Sequence, residues 1–299
     1  MKKISIIIPV FNEEKTIIKT IDSILEIFPL LKKKKLIPEI IVINDGSSDQ
    51  SHKRLMNFKK IILVSHEINL GLGAAVRTGL NIAKERGSDF VVKFDADLQH
   101  TAKDIDKIIE PLIGNYSDIV YGNRFKKISY KMPFIRRIGN KLFTGLMKKL
   151  TNWDLKDSQP GIFAVNKNYL NIFRIPGDYN YTQQILLDAY HKQMRFTHVD
   201  VSFDLRKSGD SFVSFKYPFK VFYQLLMVLV GVKPMKVFGL TGLLFLFLAS
   251  IISFFQIYKF TLGLSTKPIE NSNLVIVLIF LGVQLISFGI LAQLIIEKK

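Results

Sequence analysis

Short apolar runs alternate with longer segments of helical apolar spacing through the first 125 residues. The runs Ile4–Val10, Glu39–Asn44, Ile61–Ser65, Asp89–Phe94 and Ser117–Tyr121 read as strands. Glu13–Ile27, Asp49–Lys59, Leu72–Arg86 and Lys103–Gly114 read as helices. Alternation at this spacing predicts an α/β domain on a mostly parallel sheet with right-handed crossovers. A mixed stretch follows: a basic helix over Phe134–Leu150, a loop to Pro160, a strand over Ile162–Val165, a helix over Tyr181–Lys192 and a strand over Phe196–Phe203.

Near the C-terminus the periodicity disappears. Val237 to Tyr258 is a run of 22 residues without charge, and Asn273 to Ile296 is a second of 24. At about 1.5 Å per helical residue each exceeds the ~30 Å hydrocarbon core of a bilayer. Both are apolar all round, which predicts two transmembrane helices. Tyr217–Val232, aromatic and apolar with Lys216 and Lys220 at its start, predicts an interfacial helix on the bilayer. The chain thus divides into a domain over 1–215, an interfacial segment over 216–236 and a transmembrane hairpin over 237–299. Lys233, Lys236, Lys298 and Lys299 flank the hairpin's open end, whereas its loop carries Lys259 and Lys267 against Glu270. The positive-inside bias then puts the N-terminal domain in the cytoplasm. Met1-Lys2-Lys3 leads into only seven apolar residues, which read as a strand and not as a signal peptide.

Charge narrows the ligands. The formal net charge is +17, of which +15 precedes the hairpin. In a membrane-tethered domain this favours anionic headgroups and phosphorylated ligands. Neither a nucleic-acid recognition helix nor an aromatic RNA-binding pattern accompanies it, and Lys32-Lys33-Lys34-Lys35 reads as a solvated loop. The 299 residues include no Cys, which excludes thiol catalysis, disulfides and thiolate metal sites.

The strand Phe90-Val91-Val92-Lys93-Phe94 runs straight into Asp95-Ala96-Asp97-Leu98-Gln99-His100. In open α/β sheets ligands collect at the carboxyl ends of strands. Two carboxylates one residue apart face the same way in an extended chain and repel unless a cation lies between them. With an amide at Gln99, such hard donors suit Mg²⁺ or Mn²⁺ holding a diphosphate. Three further motifs fall at strand ends or helix starts: Pro9-Val10-Phe11-Asn12-Glu13, Asn44-Asp45-Gly46-Ser47-Ser48-Asp49 and Asn69-Leu70-Gly71-Leu72-Gly73-Ala74-Ala75. Pro9, Gly46, Gly71 and Gly73 equally suit ordinary turns, and Asp49 an N-cap.

These four motifs in this order resemble the inverting family 2 glycosyltransferases of GT-A fold. Asp118-Ile119-Val120-Tyr121-Gly122-Asn123-Arg124-Phe125, Arg137-Ile138-Gly139-Asn140, Asp157-Ser158-Gln159-Pro160-Gly161 and Leu205-Arg206-Lys207-Ser208-Gly209-Asp210-Ser211 narrow the likeness. They are similar to the branch of dolichyl-phosphate mannose synthases and polyprenyl-phosphate sugar synthases. The resemblance covers about residues 4–216. It implies transfer of a hexose from GDP-mannose or UDP-glucose to a polyprenyl or dolichyl phosphate, with inversion. Pro9, Phe11, Glu13 and Asp45 would hold the nucleoside, Asp45 accepting from the base, and Gly71, Gly73 and Arg77 would lie near the donor phosphates. Asp97 and Gln99 would ligate the metal, with Asp95 beside the ribose or in the metal's water shell. Arg124 and Arg137 would clamp the acceptor phosphate, and Arg206, on a flexible loop, would close over the donor. Asp157 would orient the sugar or a helix end, or, if the acceptor were a sugar hydroxyl, act as general base. His66, His100 and His198, scattered singly, read as structural. A transferase acting on a glycan or glycolipid hydroxyl is one alternative. A non-catalytic nucleotide-binding membrane scaffold is another, and a homo-oligomer is compatible with each.

Overall fold

A computed structural model describes residues 1–125, 134–175, 181–204, 223, 226, 227, 230, 231 and 233–297. It divides into two compact units, Met1–Phe215 and Lys216–Lys299.

The first unit is built on one seven-stranded sheet of order β3-β2-β1-β4-β6-β5-β7. Its strands are β1 (Lys2–Val10), β2 (Leu36–Asp45), β3 (Ile62–His66), β4 (Phe90–Lys93), β5 (Ile119–Asn123), β6 (Phe163–Asn166) and β7 (Phe196–Asp200). The sheet is mostly parallel, with β6 antiparallel to both β4 and β5. Helices α1 (Ile17–Glu26), α2 (Phe28–Lys33), α3 (Ser51–Met56), α4 (Leu72–Glu85), α5 (Lys103–Ile113), α6 (Phe134–Thr151), α7 (Lys167–Ile172) and α8 (Tyr181–His191) connect the strands.

β1 explains the centre of the sheet. Ile4, Ile6, Ile7 and Ile8 are fully buried, so both faces of the strand are covered, as a parallel strand requires. α1 packs onto it through Ile17, Ile21 and Ile24, spaced one helical turn apart. The register pairs Ile4–Ile7 with Phe90–Lys93, so β4 ends before Pro9. That is where a central strand tolerates a residue with no N–H to donate.

Four expectations change. The helix expected from Glu13 starts at Ile17, because Thr16 turns back to bond the Glu13 carboxylate (2.7 Å). The lysine run is not a solvated loop. Lys32 and Lys33 close α2, and Lys34 Nζ reaches Asp106 (2.6 Å) and Glu110 (3.1 Å) on α5. Asn166 caps α7 by accepting the Tyr169 N–H, a short helix that the apolar pattern misses. The strand expected to Phe94 stops at Lys93, where the chain bends away.

In the second unit a π-helical turn, Met235–Gly239, leads into α9 (Leu240–Thr261), and α10 (Ser272–Glu297) returns. Both are long and apolar enough to cross a membrane, and their side chains are mostly exposed, unlike those of a core helix. Small residues bring them together: a Cβ on Gly242 would lie 2.6 Å from the Gly282 carbonyl oxygen. The interfacial helix expected over Tyr217–Val232 falls largely outside the described residues; 223, 226, 227, 230 and 231 are helical.

The far edge of the sheet is held by Asp118, just before β5. Its carboxylate accepts from the Arg195 N–H (2.9 Å) and guanidinium (3.0 Å) and from Asn166 Nδ2 (2.7 Å). Burial alone would raise its pKa, but these donors pull it from 3.8 to about 2. The stabilisation is therefore complete above pH ~4 and disappears as the pH falls towards 2. Asp118→Asn is expected to lower stability at neutral pH by about 1–2 kcal/mol, discounted for the exposed Arg195, and to melt with the wild type near pH 2. Thermal unfolding against pH checks this, and a constant difference at all pH values would contradict it.

Candidate active site

The loops after β1, β2 and β4 meet where the strand order reverses. The chain moves from β1 outward to β2 and β3, then returns to the other side of β1 at β4. Such a switch point opens a crevice at the carboxyl ends of the two central strands.

The first two loops hold one another. Asn12, in the left-handed region at φ 55°, accepts from the Ser48 N–H (2.8 Å) and the Asp49 N–H (3.3 Å). The Glu13 N–H donates to Ser51 Oγ (2.9 Å). Asp49 does the work of a cap one residue before the N-cap Gln50: its carboxylate accepts from the Ser51 N–H (2.9 Å) and the Glu14 N–H (3.1 Å). Phe11 is half-exposed beside them, whereas Pro9 is buried and shapes the strand end. Glu13 is part-buried and engaged by Thr16.

Asp45 departs from expectation. It is buried, and both its oxygens are engaged within the protein. Oδ1 accepts from His66 Nδ1 (2.7 Å) and the Leu70 N–H (3.0 Å), and Oδ2 from the Gly71 N–H (2.9 Å). It therefore orders the glycine loop. His66 completes the strut by bonding Thr78 on α4 (3.0 Å). Gly71, with its N–H on Asp45, and Gly73, buried in the first turn of α4, form a turn held from below. Arg77 points elsewhere: its Nη1 donates to the Ile175 carbonyl (3.1 Å).

The end of β4 carries the densest electrostatics. Lys93 is 1 % exposed, in the middle of the sheet. Its ammonium pairs with Asp95, donates to the Gly161 carbonyl (2.8 Å) and faces the Tyr181 ring. Burial alone would push its pKa down, but Asp95 and Tyr181 reverse that and hold it above the usual lysine value. Asp95 is partly exposed, and Asp97 lies beyond it on the bend, its Oδ1 accepting from the Gln99 N–H (3.1 Å). Gln99 is buried, with Nε2 donating to the Asp204 carbonyl (3.0 Å). His100 Nδ1 faces the Ser202 carbonyl (3.0 Å), so it carries the proton, and the buried Nε2 is an acceptor without a partner. Burial, with help from Lys93 and Arg124, pushes this imidazole down to about 4, against the pull of Asp95. Gly161 is obligatory here: a Cβ would lie 2.4 Å from His100 Nε2 and 2.6 Å from Asp95 Oδ2.

Among the described residues no three His, Cys, Asp or Glu side chains converge on one point. Asp95 and Asp97 after β4 are hard carboxylate donors, and a Mg²⁺-type cation is commonly held by one or two carboxylates while substrate phosphates fill other positions. The buried His100 Nε2 beside Asp95 is short of a hydrogen-donating partner.

Two further assignments are corrected. Arg124, expected to clamp an acceptor phosphate, is 5 % exposed and grips Asp157 with both tines (Nε–Oδ2 2.7 Å, Nη2–Oδ1 3.1 Å). Its guanidinium also packs 5.1 Å from the Phe203 ring. Asp157 is fully buried and accepts in addition from the Gln159 N–H (3.0 Å), so no oxygen faces a substrate hydroxyl as a general base would require. The pair is a strut between β5 and the loop before β6. Arg137 is exposed in the first turn of α6. Arg206 lies outside the described residues.

Lys93 is the site residue that sequence reasoning passed over. The available signal was the two-residue period, which places Lys93 on the face of Asp95.

The sequence profile of Glycosyl transferase family 2 matches residues 5–173. The chain belongs to glycosyl transferase family 2. As a family 2 enzyme it is a glycosyltransferase, and relatives extend the likeness beyond the profile. A UDP-N-acetylglucosamine–dolichyl-phosphate N-acetylglucosaminyltransferase of Methanococcus voltae is 29% identical over 77% of this chain and 97% of its own. A dodecaprenyl-phosphate galacturonate synthase of Rhizobium johnstonii is 25% identical over 98% and 87%. Among solved structures, glucosyl-3-phosphoglycerate synthase of Mycobacterium tuberculosis, with Mn²⁺, UDP and phosphoglyceric acid, superposes with a TM-score of 0.58 at 22% identity, over 77% of this chain and 78% of that one. At that identity the match establishes the GT-A fold.

Removing Asp157 strands a buried guanidinium. Asp157→Ala is expected to cost about 3–5 kcal/mol of stability, a drop of several degrees in the melting temperature in detergent. A change of less than a degree would contradict the strut.

Proposed function

We propose that this glycosyltransferase moves a hexose from a nucleotide diphosphate sugar to a polyprenyl or dolichyl phosphate, with inversion at the anomeric carbon. The observation that carries the reading is the placement of Asp95 and Asp97 at the β1/β4 switch point, with Phe11 and the interlocked nucleotide-side loops on the same sheet edge. The relatives that use dolichyl and dodecaprenyl phosphates, and the two apolar helices, support a lipid acceptor. The hairpin anchors the protein where such a lipid resides, with the catalytic domain on the cytoplasmic side by the distribution of lysines around the spans.

The chemistry asks little of a base. A phosphate oxygen of the acceptor, already an anion, forms the bond to the anomeric carbon as the bond to the donor diphosphate breaks. The nucleoside diphosphate leaves with the electron pair. Asp97 and Gln99 would hold a divalent cation, Mg²⁺ or Mn²⁺. When bound, it neutralises the charge that builds on the diphosphate. Phe11 would offer a face for the base, and Asp95 would lie beside the ribose or in the cation's water shell. With Arg124 committed to Asp157, the acceptor phosphate falls to Arg137, on the exposed start of α6, while Arg206 would close over the donor diphosphate. The locked Asp157 disfavours a sugar-hydroxyl acceptor, which would need a base.

Purified protein in detergent, with Mn²⁺, a polyprenyl phosphate and radiolabelled nucleotide sugars, tests the reading. Label from one donor is expected in the organic phase and is expected to be lost on mild acid hydrolysis. Nucleotide-sugar hydrolysis with no lipid label would overturn it. In the same assay Asp97→Ala is expected to lower turnover by about 10²-fold or more, with excess chelator doing the same to the wild type. Full activity in chelator would contradict the cation's role.

A further inference from the structure

Helix α6 has two faces of different character. Phe143, Met147 and Leu150 are buried where the helix packs into the domain beside α8. On the outward side Ile138 and Leu142 are 41 % and 57 % exposed, one turn apart, and the half-buried Leu146 continues the row. Arg137, Lys141 and Lys148, all exposed, run alongside at helical spacing, and the exposed Lys149 stands at the end of the apolar row. Lys148 also reaches the exposed Asp154 (2.6 Å), a solvent-screened pair that leaves the face cationic.

An exposed apolar row rimmed by charge marks a surface that meets a partner. The neighbouring sequence does not complement it: residues 126–133 carry three Lys and no acid, and residues 205–222 carry four Lys or Arg against one Asp. A second copy of the chain would bring a further net charge of +17. An anionic lipid surface matches both rows at once, with acyl chains for the apolar side chains and phosphates for the cations. Lysine stems can lie along the apolar row while their ammonium groups stay among the headgroups.

Resting on the reading of the C-terminal hairpin as membrane-spanning, we infer that the outer face of α6 is a docking surface for an anionic headgroup layer. Ile138, Leu142 and Leu146 enter the boundary between headgroups and acyl chains, and Arg137, Lys141, Lys148 and Lys149 meet lipid phosphates. Each cation at such a surface favours contact about fivefold. The docked helix keeps Arg137, in its first turn, at the depth of the lipid phosphates, so an acceptor phosphate reaches it without leaving the bilayer. The catalytic domain thereby has its own attachment to the membrane.

The chain has no Cys, so one introduced Cys carries one label. Leu142→Cys bearing an environment-sensitive fluorophore is examined in the full-length protein in lipid nanodiscs, of phosphatidylcholine alone or with about a third phosphatidylglycerol. Phe247→Cys, on α9, reports whether the hairpin lies in the bilayer. Lipids with a nitroxide near the headgroup end of the acyl chain are expected to quench the label at 142. Phosphatidylglycerol is expected to strengthen that quenching about twofold or more. Lys141→Glu/Lys149→Glu in the same background changes two exposed positions, so it is expected to fold and to abolish the gain. A label at 142 that a water-soluble quencher reaches and lipid nitroxides do not would overturn the inference. So would a label shielded from both, which means that protein covers the helix, or quenching that neither phosphatidylglycerol nor the charge reversal alters. If nitroxides deep in the acyl chains fail to quench the label at 247, the membrane reading fails first, and this inference with it. Transfer of label to lipid phosphate by a protein whose residue 142 stays in water would sink the docking alone.

Discussion

A lysine in the middle strand of a sheet sets the terms for everything around it. Lys93 cannot be hydrated where it is, so the chain must bring oxygen atoms to it. Asp95 does so from the bend after β4 and Gly161 from the loop entering β6, and the Tyr181 ring faces it from the start of α8. Three segments far apart in sequence are thereby fixed to one point at the switch between β1 and β4. The candidate active site is the outer surface of that cluster.

A second buried pair repeats the logic on the far side of β6. Arg124 at the end of β5 and Asp157 before β6 neutralise each other without solvent, and His100 packs between the two pairs against Phe94 and Phe203. Burial keeps its imidazole neutral, and the two neighbouring cations add to that against the pull of Asp95. The consequence for function is a division of labour. Buried ion pairs hold the shape, and a ligand can meet the partly exposed Asp97 and the exposed Phe11 and Arg137. Charged residues of similar type thus do different work according to burial.

The sheet and the hairpin were legible because their signals are local. Apolar runs such as Ile4–Val10 and uncharged stretches such as Val237–Tyr258 state their environment residue by residue. The motifs also fall together at one edge of the sheet, since strand ends are where loops gather. What the sequence could not convey is how each polar side chain is spent. Asp45 serves the Gly71 loop, and Arg124 and Asp157 serve each other, because of residues 25 or more positions away in the chain. Lys93 escaped for the same reason. A lysine in an apolar run becomes informative only once the register of β4 between β1 and β6 shows that it has no way out to water.

A structure of the protein crystallised with Mn²⁺ and a nucleoside diphosphate, with anomalous scattering used to locate the manganese, tests this account most directly. The manganese peak is expected at bonding distance from the Asp97 carboxylate at the β1/β4 crevice, with Lys93 still paired to Asp95. A peak bridging Asp95 and Asp97 with the Lys93 ammonium displaced, or a nucleotide bound away from this crevice, would contradict it.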